Sequence, residues 1–243
     1  MFKKLKQKLI SDNRLGKYLT YALGEIILIV IGILVAMNLD DWNDNRKDIA
    51  EAQNLIKELR FDLKRDTMIF GDEIRKIDQL ILYKGILLEK DSIGKVDTDI
   101  IISVLTVGIH NIKMNEGSYE KIKESNIASL DEYKDLFKRI NSYYIFNKAY
   151  LENRNSWEAN LFERDLDQWV YQDQFEVKFP GSDKDLQNPE IKRKNLLKML
   201  ESPKGRNVLK MSLFREKQMK ETYEFVLKAS NKLLVKIDSL HLK

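Results

Sequence analysis

The sequence predicts an all-α protein: one N-terminal transmembrane helix that continues into an extramembrane helical bundle with long helices. Three observations carry this reading. Leu19–Leu39 is apolar almost throughout and holds a single charge, Glu25. An apolar repeat of seven follows it through Ile49, Ile56, Leu63, Phe70 and Ile77. The 243 residues include only 3 Pro and 10 Gly, and so few breakers favour long helices over a turn-rich β fold.

The apolar segment comes first. At 1.5 Å per residue, Leu19–Leu39 makes a helix about 30 Å long, which matches the hydrocarbon core of a bilayer. Lys3, Lys4, Lys6, Lys8, Arg14 and Lys17 precede it against one acid, Asp12, whereas Asp40, Asp41 and Asp44 follow it before any base. The positive-inside rule then places residues 1–18 in the cytoplasm, 19–39 across the membrane and 40–243 outside the cytoplasm. Tyr18 and Tyr21 at the inner boundary and Trp42 at the outer one are expected membrane-interface anchors. A cleaved signal peptide has the same charge order, but it needs a shorter apolar region and a small-x-small site, and none follows here. A buried core helix is the other rival, because Glu25 leaves an uncharged run of only Ile26–Leu39.

One face of this helix is special. Glu25, Gly32 and Ala36 fall on the same side, with Gly24 beside them. Gly32 and Ala36 form a small-xxx-small pair that lets another helix approach closely. Gly24, Glu25, Gly32 and Ala36 are therefore the candidate helix-packing or partner face. A carboxylate at membrane depth suggests function by default. The plainer reading is that Glu25 reaches the interface, two turns beyond Lys17.

Beyond the membrane, Ala52, Leu59, Leu80 and Leu87 fill a second heptad position. Asp66, Glu73 and Lys84 interrupt the pattern, while Ile74, Ile81 and Leu88 widen it, as in a multi-helix bundle. Gly71 and Gly85 weaken this helix locally. Asp91–Gly94 reads as a turn. Asp97 or Thr98 caps a short helix through Val107, although the β-branched run there also fits a buried strand. Gly108–Gly117 reads as a loop and Ser118 as the start of a short helix. Ser129-x-x-Glu132 has the capping-box pattern, and helical spacing of apolar and aromatic residues then runs to about Val170. Phe175–Pro189 is the clearest break. Pro189 opens a further helix, and Ser202-Pro203 supplies an N-cap with proline at the first position of a last long helix.

Chemistry is sparse. With no Cys there is neither disulfide nor thiol nucleophile, and His110 and His241 have no companion at metal-ligand spacing. No phosphate-binding loop, dinucleotide fingerprint or nucleophile elbow is present. Neither a cofactor nor a metal is expected. Glu163, Asp165 and Asp167 with Arg164 read as a solvated face. The aromatic residues from Tyr143 to Trp169 read as core sooner than as a ligand pocket. The net charge of +4 is a small difference between 42 basic and 38 acidic residues interleaved along helices, unlike the one-sided excess of a nucleic-acid binder.

The run GKYLTYALGEIILIVIGILVAMNLDDWNDNRK resembles the N-terminal signature of an uncharacterised family of Bacteroidota, chiefly flavobacterial, single-span membrane proteins. The matching positions are Tyr21, Gly24, Glu25, Ile26, Leu28, Gly32, Ile33, Leu34, Ala36, Trp42 and Asn43. Gly117-Ser-Tyr119 and the paired tyrosines Tyr143-Tyr144 are similar to its weaker internal pattern. The resemblance implies an inner-membrane protein with a helical periplasmic domain, and no activity.

The function expected is a non-enzymatic, membrane-anchored interaction or assembly module. It would meet the lipid bilayer and either further copies of itself or a membrane protein partner. Two alternatives stand beside it: a proton- or ion-coupled component in which Glu25 works with a polytopic partner, and a helical bundle that senses a ligand.

Overall fold

The computed structural model describes residues 14–90, 92–107, 111–177 and 186–240. Those residues are overwhelmingly helical, and no strand occurs among them. The chain divides into two compact units, Met1–Ala52 and Gln53–Lys243, and helix α1 (Arg14–Leu88) contributes to both.

In the first unit α1 contains a stretch long and apolar enough to cross a membrane, and none of that window is buried. Side chains such as Ile26, Leu28 and Ile33 are exposed.

The second unit is built on the heptad stripe of α1. Ile56, Leu59, Leu63, Phe70 and Ile77 are completely buried, and Leu87 nearly so. Gly71 and Gly85 do not interrupt the helix. After α1 come α2 (Thr98–Thr106), α3 (Gly117–Glu124), α4 (Lys134–Ser142), α5 (Lys148–Trp169), α6 (Pro189–Glu201) and α7 (Pro203–Asp238). Residues 98–106 are therefore helix, not strand, and Asp97 is the cap, accepting from the Asp99 amide at 2.8 Å.

Helix α7 runs antiparallel to α1, and its polar contacts mark the register. Arg60 pairs with Asp238, Lys220 with Asp78, Lys84 with Glu216, and Arg206 donates to the Leu88 carbonyl. Helix α5 lies antiparallel to α7, as Tyr150 meets Phe225 while Glu158 and Asp165 meet Arg215. At one end of the bundle, α6 is tied down by Arg193, which donates to the carbonyls of Gly94 and Val96 and to the Thr98 hydroxyl. There Leu87, Ile101, Leu105, Trp169, Leu196 and Leu209 share a core.

Two corrections concern local signals. Ser129-x-x-Glu132 does not form a capping box. Ser129 lies in the 3-10 turn Asn126–Ser129 and donates to the Asn126 carbonyl, and α4 starts only at Lys134. Asp165 does not lie on a solvated face; it is buried against Arg215, a partner fifty residues away that local pattern cannot reveal.

Pro189 and Pro203 stand in the first turns of α6 and α7 and Ser202 caps α7, as the sequence predicts, and the structure adds Asn188 as the cap of α6. The Asn188 side chain accepts from the amides of Glu190 and Ile191 ahead of Pro189, and Ser202 accepts from Gly205 at 3.0 Å ahead of Pro203. The turn between these helices is tight, and a Cβ on Gly205 would overlap the Met199 carbonyl. Gly205→Ala should therefore cost at least about 2 kcal/mol, as overpacking against fixed backbone does. Gly85→Ala, where a Cβ meets nothing, should stabilise by up to about 1 kcal/mol. Chemical denaturation of the full chain in detergent measures both. Equal effects at the two glycines would contradict the packing described.

Candidate polar site in the helical bundle

Two groups of buried polar side chains mark where the apolar stripe of α1 is broken. The first surrounds Lys84, whose ammonium donates to the Glu216 carboxylate at 2.6 Å and to the Ser212 hydroxyl at 2.8 Å. One residue earlier on α7, Arg215 donates from Nε to Glu158 at 2.9 Å and from Nη2 to Asp165 at 2.5 Å. All of these side chains are buried. Burial pushes the Glu158 and Asp165 carboxyls up, and the Arg215 charge offsets only part of it. Burial also works against the guanidinium, but its bonds to the two acids win and hold it above its ordinary value. The group is ionic and ties α1, α5 and α7 together.

The second group sits toward the other end of the bundle. Asp66 accepts from the Asn115 amide at 3.2 Å and from the Asn115 side chain at 2.5 Å. One turn earlier Asp62 accepts from the Ser118 amide at 3.1 Å and from its hydroxyl at 2.6 Å. Ser118 stands in the first turn of α3, and Glu116, at the cap position, makes no side-chain capping bond. The carboxylate that satisfies this helix start thus comes from α1, where it also meets the positive end of the helix dipole.

A run of tyrosines closes the group. Helices α4 and α5 join through a π-helical turn, Tyr143–Asn147, which widens the backbone between two otherwise regular helices. Consecutive residues of an α-helix point about 100° apart, yet Tyr143 and Tyr144 are both almost wholly buried here. The Tyr144 ring stacks on Tyr119 at 4.3 Å, and its edge meets Tyr143 at 5.0 Å. Tyr119 donates to the Asn141 side chain at 2.6 Å. The Tyr144 hydroxyl meets no partner among the described residues. Burial raises both phenols far above their ordinary range, and the charge of Asp66 adds to it.

Asp66 is the titratable centre of this group. Burial, opposed by the two Asn115 bonds and reinforced by the charge of Asp62, pushes its carboxyl up to about 6. A π-helical turn, a raised carboxyl and a stacked aromatic pair are features that recur at functional sites. Among the described residues, no cluster of His and acidic side chains suits a metal ion.

A family model, described as a family of unknown function (DUF6090), matches residues 25–178. The chain belongs to this family. The DUF6090 match begins at Glu25 in the apolar segment and covers Asp62, Asp66, Asn115, the Gly117-Ser-Tyr119 motif, the π-helical turn and both tyrosines. It leaves out α6, α7 and hence Arg215. No curated protein and no solved structure matches the chain.

The residues singled out in the apolar segment belong to the first unit. Gly24, Glu25, Gly32 and Ala36 are exposed on α1, and a Cβ on Gly24 or Gly32 would meet nothing within 4 Å. Tyr18, Tyr21 and Trp42 are likewise exposed, with Arg46 stacked 5.0 Å from the Trp42 ring. His110 and His241 fall outside the described residues. Asp66 was visible in the sequence as a break in the heptad. Its partners were not, because Asn115 lies in an irregular segment with no spacing signal.

The Asp66 carboxyl holds its proton more tightly in the folded chain than in the unfolded one. Its contribution to stability is therefore largest below about pH 4 and is lost as pH rises through 6. The difference is about 3 kcal/mol. Thermal unfolding of the wild type against Asp66→Asn between pH 4 and 7 should show Asp66→Asn gaining on the wild type as pH rises. A gap between them that does not change with pH would contradict the burial described.

Proposed function

We propose that this DUF6090 chain is a membrane-anchored helical interaction and assembly module without catalytic activity. Its apolar segment passes once through the inner membrane of a Bacteroidota cell, N-terminus in the cytoplasm and bundle in the periplasm. The observation that carries this reading is the wholly exposed apolar stretch of α1. A helix that leaves so many aliphatic side chains open needs lipid or protein around it. The charge asymmetry of its flanks supports the orientation.

Glu25, Gly24, Gly32 and Ala36 form the face through which the span meets a second copy or a membrane partner. Small residues let two helices close to backbone contact, and a carboxylate in that contact finds hydrogen-bond partners it lacks in lipid. The bundle is the load held at the surface. Lys84, Glu216, Arg215, Glu158 and Asp165 join α1, α5 and α7 through hydrogen-bonded ion pairs, which supports a structural role for this group.

Gly32→Ile separates this reading from a mere anchor. No atom stands within 4 Å of a Cβ at that position, so the substitution disturbs nothing inside one chain. Self-association in a membrane two-hybrid assay, or recovery of a co-purifying partner in mild detergent, should fall several-fold, while the melting temperature of the bundle stays unchanged. Association that survives Gly32→Ile would remove the packing face. Phosphatase fused after Lys243 should be active only if that end lies outside the cytoplasm, and an inactive fusion of normal abundance would overturn the orientation.

A further inference from the structure

Residues 111–116 form a strap with no regular structure ahead of α3. Only Met114 in it is buried. Its fastenings are polar. The Asn155 side chain on α5 donates to the Ile112 carbonyl at 2.9 Å, and the Tyr223 hydroxyl on α7 accepts from the Ile112 amide. Lys148 on α5 meets Glu116 at 2.7 Å. On α1, Asp66 accepts from the backbone and side chain of Asn115, and Asp62 accepts from Ser118 where α3 begins.

The fastening at Asp66 differs from the rest of the buried polar structure. Glu216, Glu158 and Asp165 each hold a buried cation, Lys84 or Arg215. Asp66 is wholly buried, and its partner among the described residues is the neutral Asn115. Its surroundings oppose a second negative charge. Asp62 stands one turn before it on α1, at the spacing where like charges repel. The π-helical turn brings the neutral phenols of Tyr143 and Tyr144, and α7 brings the neutral Ser230 hydroxyl against Tyr143. Glu116 also faces Tyr144, with its charge taken up by Lys148. Arg65 favours the ionised form, but its side chain is exposed.

A carboxylate buried without a cation pays for its lost hydration. Asn115 bonds Asp66 and is itself partly exposed. Lifting the strap therefore gives Asp66 water while the ion pairs among α1, α5 and α7 stay whole. A neutral carboxyl has no such demand, and its carbonyl oxygen still accepts from Asn115.

We propose that the strap is a proton-controlled latch: a proton on Asp66 holds residues 111–118 closed on α1, and loss of that proton lets them lift. The latch works on whichever side of the membrane the bundle lies. Asp66 titrates at about 6 beneath the closed strap and near its ordinary 3.8 once water reaches it. Opening therefore grows as pH rises between those two values and levels above them, by about a hundredfold in all.

Hydrogen exchange of the full chain in lipid nanodiscs, between about pH 4 and 7 and corrected for the intrinsic rate, reads this opening. Peptides over 111–118 should exchange ahead of the buried parts of α5 and α7. Their opening constant should rise by about a hundredfold up to about pH 6 and then level, and in Asp66→Asn it should stay flat. Three results overturn the latch: strap exchange unmoved by pH in the wild type, the same rise in Asp66→Asn, or a strap that exchanges only together with α5 and α7. The first and third are read on the wild type alone, so the test stands even if Asp66→Asn does not fold.

Discussion

Everything in the bundle depends on how α1 buries a stripe that contains charges. Asp66 and Lys84 stand at core positions of its heptad pattern, and Asp66 is completely removed from solvent. An ion cannot be buried bare, because the desolvation cost reaches several kcal/mol unless partners meet it. Each of the two therefore imposes a neighbour. Lys84 calls for an acid and a hydroxyl and finds Glu216 and Ser212 on α7. Asp66 calls for donors and finds Asn115, just ahead of α3. Apolar packing alone would let antiparallel helices slide by a heptad. The Lys84–Glu216 ion pair and the Asp66–Asn115 hydrogen bonds allow one register.

The pairing extends outward from there. Arg215 follows Ser212 and precedes Glu216 on α7, so the turn that meets Lys84 also meets Glu158 and Asp165 on α5. Asp62, one turn before Asp66, supplies the start of α3 with the acceptor it lacks. The π-helical turn then lets two adjacent tyrosines enter the same core behind Asp66. Stability is spent on specificity here, as apolar residues of the same volume would often fold at least as well.

Much of this was legible in the sequence, and the reasons for what was not are physical. Periodicity speaks about one helix at a time, and it placed Ile56, Leu63, Phe70 and Ile77 in the core. Caps are local hydrogen bonds, so Ser202-Pro203 and Asp97 could be read as well. Ser129-x-x-Glu132 misled because Ser129 itself closes a 3-10 turn and the next helix begins only at Lys134. Asp165 misled because its burial depends on Arg215, which no spacing connects to it, whereas Glu163, Arg164 and Asp167 beside it are exposed as read. The π-helical turn left no signal beyond two adjacent tyrosines. The broken heptad was the most useful clue of all: Asp66 and Lys84 were visible as exceptions, and exceptions in a stripe are where partners must be sought.

The claim that buried charge pairing fixes α1 in the bundle is tested most directly at Lys84 and Glu216. Chemical denaturation of the full chain should be measured for Lys84→Met, for Glu216→Met and for the two together. The account predicts that Lys84→Met, which leaves Glu216 in the core without its lysine, costs about 3–5 kcal/mol, and that the double substitution recovers most of that loss. A Lys84→Met protein as stable as the wild type, or a double variant whose loss is the sum of the two singles, would contradict it.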